Sequence, residues 1–145
     1  MLPAFQEDGK LPPGIHEPSW EEFAEHFGGT EHRRILLQGL KEALRALRAA
    51  GCKRVFIDGS FVTSKEVPND WDGCWDTEGV DLRLLDPVLR QFANKRAAQK
   101  AKYLGEFFPA DTTERGAGKT FLDFFQTDRE SGGAKGIVAL DLRRL

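Results

Sequence analysis

Apolar residues recur at helical spacing in one long stretch of the chain. Leu36, Leu37, Leu40, Ala43, Leu44 and Leu47 fall on one face, while Arg33, Lys41, Glu42 and Arg48 occupy mostly other positions. That pattern predicts an amphipathic helix capped by Thr30 and running to Ala50, with Gly51 ending it. A shorter stripe of Trp20, Phe23 and Phe27 predicts a second helix, opened by a Ser19–Glu22 capping box and stopped by Gly28-Gly29. Ahead of it, Pro3, Pro12 and Pro13 with Gly9 and Gly14 predict an extended arm. The chain therefore reads as an arm with a short helix over residues 1–29 and a main domain over residues 30–145.

Strand patterns follow the long helix. Val55, Phe56 and Ile57 read as a buried strand, and Trp71, Gly73, Cys74 and Trp75, interleaved with Asp70, Asp72 and Asp76, read as its neighbour. The tryptophans would then face the core and the carboxylates a cleft. Between these strands, residues 62–66 suggest a short helical turn. Asp86-Pro87 is a strong helix start, predicting a helix through Tyr103 whose later half carries Lys95, Arg96, Lys100 and Lys102. Glu106-Phe107-Phe108 reads as a short strand closed by Pro109, residues 118–128 as a short helix, and Ile137 to Leu140 as a last strand. The sum is an α/β (α+β) fold: a small mixed sheet flanked by helices.

Composition narrows the function. A formal charge of −2 on 145 residues supplies no global field to recruit nucleic acid. No apolar run has the length of a membrane span, and the first residues lack the basic region and apolar core of a signal peptide, so a cytoplasmic protein with no membrane partner is expected. Cys52 and Cys74 are too few, and His16, His26 and His32 too dispersed, for a zinc motif.

The chemistry concentrates in two nearby segments, Ile57-Asp58-Gly59-Ser60-Phe61 and Asn69-Asp70-Trp71-Asp72. Gly59 permits a sharp turn after the strand, so that backbone amides and the Ser60 hydroxyl can face a phosphate. Asp70 and Asp72, two residues apart on a strand, project to one side about 6–7 Å apart and can share Mg²⁺ or Mn²⁺. Lys65 lies between the two segments, where its ammonium can reach a nucleotide phosphate. A third carboxylate would complete the set, with Glu106 and Asp141 as the alternatives and Asp81 behind them. The basic residues late in the Asp86 helix suit either a phosphate backbone or the helix dipole.

The Gly59-Ser60 to Asp70-x-Asp72 arrangement resembles the nucleotidyltransferase superfamily, whose fold is that of DNA polymerase beta. The wider pattern, with Leu11-Pro12-Pro13-Gly14-Ile15-His16, Gly59 to Lys65 and Phe125-Gln126-Thr127-Asp128, is similar to a family of small bacterial and phage proteins. The resemblance implies Gly59 and Ser60 as phosphate-binding residues, Asp70 and Asp72 as metal ligands, and a third acid on the strand after the long helix, where Glu106 stands. It further implies Mg²⁺ or Mn²⁺ with an NTP as cofactors, and transfer of a nucleoside monophosphate to a protein or RNA acceptor. Phe61 to Lys65 and Asn69 depart from the motif of the active families. The alternative is therefore an interaction protein of the same fold, an accessory or antitoxin-like partner.

Overall fold

The computed structural model of the protein describes residues 2–145. In chain order the elements are strand β1 (Gly14–His16), helices α1 (Trp20–Phe27) and α2 (Glu31–Ala49), strands β2 (Arg54–Asp58) and β3 (Trp71–Trp75), helix α3 (Ala93–Tyr103), strand β4 (Gly105–Pro109), helix α4 (Phe121–Phe125) and strand β5 (Gly136–Asp141). Both predicted caps form. The Ser19 hydroxyl accepts from the Glu22 amide at 3.1 Å and the Thr30 hydroxyl from the Arg33 amide at 3.1 Å.

The five strands make one mixed sheet in the order β1-β5-β2-β3-β4. Strand β2 lies antiparallel between β5 and β3, while β4 is parallel to β3 and β1 is parallel to β5. Helices α1 and α2 cover one face, where Phe23, Phe27, Leu40, Leu44 and Leu47 pack against Val55, Ile57, Trp71 and Phe107 from the strands. Truncating Leu44, fully buried there, costs about 2–5 kcal/mol by the cavity it leaves. A smaller cluster covers the other face, where Phe56, Cys74, Ile137 and Ala139 meet Phe125 of α4. The period of two along the strands divides the two clusters, and the first takes in Trp71 and Trp75 as core residues. Cys52 and Cys74 are buried free thiols; burial pushes Cys52 up to about 11 and raises Cys74 as well.

Three stretches differ from the sequence reading. The arm is extended as expected, but part of it is β1, an edge strand hydrogen-bonded to β5. The helical turn expected over residues 62–66 is a 3₁₀ turn over Ser60–Val62. The helix expected from Asp86 to Tyr103 is divided: the Asp86 side chain caps a 3₁₀ turn, Pro87–Arg90, and α3 begins afresh at Ala93. Residues three apart on one helix share a face. Leu89, however, is buried in the α2-side core, whereas Phe92 stacks on Phe108, which packs against the opposite cluster. One helix cannot serve both faces. The chain instead kinks at the start of α3, where Asn94, Lys95 and Arg96 have left-handed backbone with φ of 53°, 57° and 61°.

Candidate functional site

The site begins where β2 ends. Asp58 is the last residue of the strand, and Gly59 turns away from it at φ 81°. A Cβ on Gly59 would strike the Asp72 carboxylate, so both the backbone angle and the available space require glycine here. The following loop is held from within by Arg33 on α2. Its guanidinium donates to the carbonyls of Phe61 at 2.7 Å, Thr63 at 2.9 Å, Lys65 at 2.5 Å and Phe27 at 3.1 Å, and it lies over the Phe61 ring. A planar fork of donors suits four converging carbonyls; a lysine would not reach them together. Arg33 thus sets the course of the Gly59–Lys65 loop, a role its place in the polar half of the helix pattern does not announce.

Register then assembles the acids. Asp58 of β2 lies opposite Asp72 of β3, and Asp72 opposite Glu106 of β4. These three carboxylates form one row across adjacent strands, on the same sheet face as Phe56, Cys74 and Phe108. Asp70 joins the same cleft from the residue preceding Trp71, whose indole points the other way and donates to the Tyr103 carbonyl at 2.9 Å. Like charges directly opposite one another on a sheet repel. Burial first, then Asp70, Glu106 and Asp58, push the Asp72 carboxyl up to about 8. Burial also raises Asp58, against the opposing pull of Lys135, and raises Asp70, against that of Lys100.

Cations offset part of this charge. Lys135 lies 3.2 Å from Asp58, Arg96 2.6 Å from Glu106 and Lys100 3.8 Å from Glu106. The fully buried Gln99 fixes the strand that carries Glu106: its side-chain oxygen accepts from the Phe107 amide at 2.8 Å and its nitrogen donates to the Gln91 carbonyl. Among the described residues no three His, Cys, Asp or Glu side chains form a ready metal-ligand set. The donor chemistry nonetheless fits a hard divalent cation: the acids offer only oxygen ligands, and their mutual repulsion is what such an ion relieves.

Two clefts meet at Asp58, Gly59 and Lys135. One, of about 560 Å³, is lined by the four carboxylates and Glu114 together with Phe108, Phe121, Phe124 and Phe125. The second, of about 570 Å³, is lined by the loop hydroxyls of Ser60, Thr63 and Ser64 together with Lys10 and Lys65. Asp70, Asp72, Glu106, Gly59 and Ser60 are therefore brought together, with Lys65 at the rim of the second cleft. Asp141 is not among them. It pairs with Arg54 at the opposite end of β2 and is held by Arg143 at 3.0 Å. Asp81 is likewise held by Arg83, and His16 contacts the Pro12 carbonyl through Nε2 at 2.7 Å. Asp58 and Arg129, both of which line the two clefts, are not singled out by the sequence, and Lys135 reads there only as a candidate anion contact with nothing local to make it specific. Asp58 was open to discovery, since two residues after Phe56 it continues the same strand face; Lys135 and Arg129 come from a turn-rich loop with no such period.

The sequence profile of a family described as "Family of unknown function (DUF6932)" matches residues 3–141. No curated protein and no solved structure matches the chain.

Proposed function

The chain belongs to that family of unknown function, and from its site we propose that it is a metal-dependent nucleotidyltransferase, moving a nucleoside monophosphate from an NTP to a protein or RNA acceptor. The observation that carries this reading is the row Asp58–Asp72–Glu106, with Asp70 beside it, standing directly at the Gly59 turn. Four carboxylates packed at one sheet end are unfavourable for stability, and perturbation of this kind clusters at working sites.

In this reading Asp70 and Asp72 hold Mg²⁺ or Mn²⁺. A cation held there would supply charge to neutralise the triphosphate and to lower the pKa of the acceptor hydroxyl. The Gly59–Ser60 turn presents backbone amides and a hydroxyl to the β and γ phosphates, and Lys65 closes on them from the loop. Arg33 holds that loop in place through its carbonyls. Glu106, 2.6 Å from Arg96, receives the proton of the acceptor hydroxyl as its oxygen bonds to the α phosphorus and the bond from that phosphorus to the β-phosphate oxygen breaks, releasing pyrophosphate. The phenylalanine side of the cleft keeps bulk water from the reacting groups. Among the described residues no helix is long and apolar enough to cross a membrane, and the proposed setting is the cytoplasm.

A second reading has its own support. With Glu106 on Arg96 and Asp58 on Lys135, the same fold could act as an interaction protein with a closed site, antitoxin-like in its use. Supplying each α-labelled NTP with Mg²⁺ or Mn²⁺ to the protein and to partners copurified from its native cell separates the two. Label on a partner or RNA end is the expected result. Stable copurification with no label from any NTP would replace the transferase with the interaction protein.

A further inference from the structure

The cleft beside the acids has two sides of opposite chemistry. Beside the carboxylates, Phe108 and Phe121 line the cleft as nearly parallel rings 4.2 Å apart at 11°, and Phe92, which lines a different cleft, stacks on Phe108 at 5.7 Å and 10°. Phe124 continues this side and carries the Arg129 guanidinium over its ring at 5.4 Å, as Phe108 carries Arg96 at 5.4 Å. Phe108, Phe121 and Phe124 are only partly buried although they line a cleft of about 560 Å³. Solvent does not suit both sides. Water satisfies the carboxylates but leaves the rings wet, and a purely apolar ligand would desolvate the carboxylates without compensation. A ligand that suits both has a flat π-system at one end and a polyanion with its counter-cation at the other.

The geometry points to a nucleobase site on the Phe108–Phe121–Phe124 side, with Arg129 as its cationic cover. This rests on the nucleotidyltransferase reading and adds the part of the substrate that reading leaves open. Aromatic rings interleaved with arginines stack bases with little regard to sequence, and the cleft volume lies in the range of small-molecule sites. The shared chemistry is a base attached to phosphates, and it has two sources: the NTP itself or the terminal nucleotide of an RNA acceptor.

Calorimetry on the full chain in Mn²⁺ distinguishes them, using ATP, inorganic tripolyphosphate and a short adenylate oligoribonucleotide as ligands. Base stacking makes ATP bind about tenfold more tightly than tripolyphosphate. Phe124→Leu, which keeps apolar volume but removes the ring, erases that ratio while tripolyphosphate affinity stays put; Phe121→Leu is the second variant should the first unfold. If the variant weakens the oligoribonucleotide and leaves ATP unchanged, the site stands and its base is the acceptor's. If all three ligands bind wild type and Phe124→Leu equally well, the base site is overturned and the metal–phosphate site survives. If neither ATP nor tripolyphosphate binds in Mn²⁺, the underlying transferase reading falls, and the base site with it.

Discussion

The two ends of the sheet use the same residue types for opposite ends. At one end Asp141 sits two residues before Arg143, and in the loop beyond β3 the same Asp-Leu-Arg tripeptide recurs as Asp81-Leu82-Arg83. In each, the arginine grips its aspartate through Nε and Nη2 while the aspartate accepts the arginine's own amide. The arginine hydrogen bond holds both carboxyls below the usual range. At the other end Asp58, Asp70 and Asp72 are all raised, chiefly by burial. A partly exposed carboxylate with a private arginine is a local structural device. Carboxylates drawn together at one sheet end and raised chiefly by burial are a different kind of cluster, and this difference, rather than the presence of aspartate, is what the proposed site rests on.

The largest effect that tests this contrast is on chemistry. Asp72→Asn keeps the shape of the side chain but cannot ionise to hold a cation, so transfer should fall by more than about 100-fold, above the range that loss of an outer-shell metal partner costs; full activity would remove Asp72 from the mechanism. Arg33→Ala comes next. It strips four carbonyls of their donor and should destabilise the chain by about 3 kcal/mol in urea unfolding, and Arg33→Lys should recover only part of that because it lacks the fork. A loss below about 0.5 kcal/mol would show that the loop holds itself.

The pH dependence of stability should also separate the two ends. The folded-state pKa of Asp72, about 8, lies above the ordinary carboxylate value of about 4, so the folded chain holds a proton that the unfolded chain has released. Stability linked to Asp72 is therefore full below about pH 4 and is lost as pH rises through about 8, on the order of a few kcal/mol. The urea midpoint should drop between pH 5 and pH 9 in wild type and stay nearly level in Asp72→Asn. An equal drop in both would assign the dependence to other groups. Asp141 has the opposite sign: its depressed pKa adds stability above about pH 4 that is lost in acid. Being at the surface, Asp141→Asn should change stability by less than about 0.5 kcal/mol and transfer not at all. A large loss of transfer there would undo the contrast between the ends.

Much of this was legible from residue order because helices and strands are local patterns. The leucine stripe gave α2, the two tryptophans gave the buried side of β3, and Gly59 gave the turn. Strand period predicts Asp70 and Asp72 on one side; Asp72 lies within β3 and Asp70 immediately before it. The choice between Glu106 and Asp141 was beyond that reasoning, since both lie on strands with similar flanks and only the register of β3 with β4 brings Glu106 opposite Asp72. Arg33 looked like a surface residue of an amphipathic helix; its four acceptors come from an irregular loop whose path no periodicity encodes. The broken Asp86 helix escaped for a related reason. Its cap and proline are local signals, but the demand that Leu89 and Phe92 serve opposite sheet faces exists only once the sheet is assembled.

The central claim is that the acid row and the Gly59 turn together hold a divalent cation and a nucleoside triphosphate. Isothermal titration tests it directly, with Mn²⁺ and ATP titrated separately and together into wild type and the D70A/D72A double variant, and far-UV circular dichroism checking that both are folded. The account predicts that each ligand strengthens the binding of the other in wild type and that this coupling disappears in the folded double variant. Coupled binding that survives unchanged without Asp70 and Asp72 would contradict it.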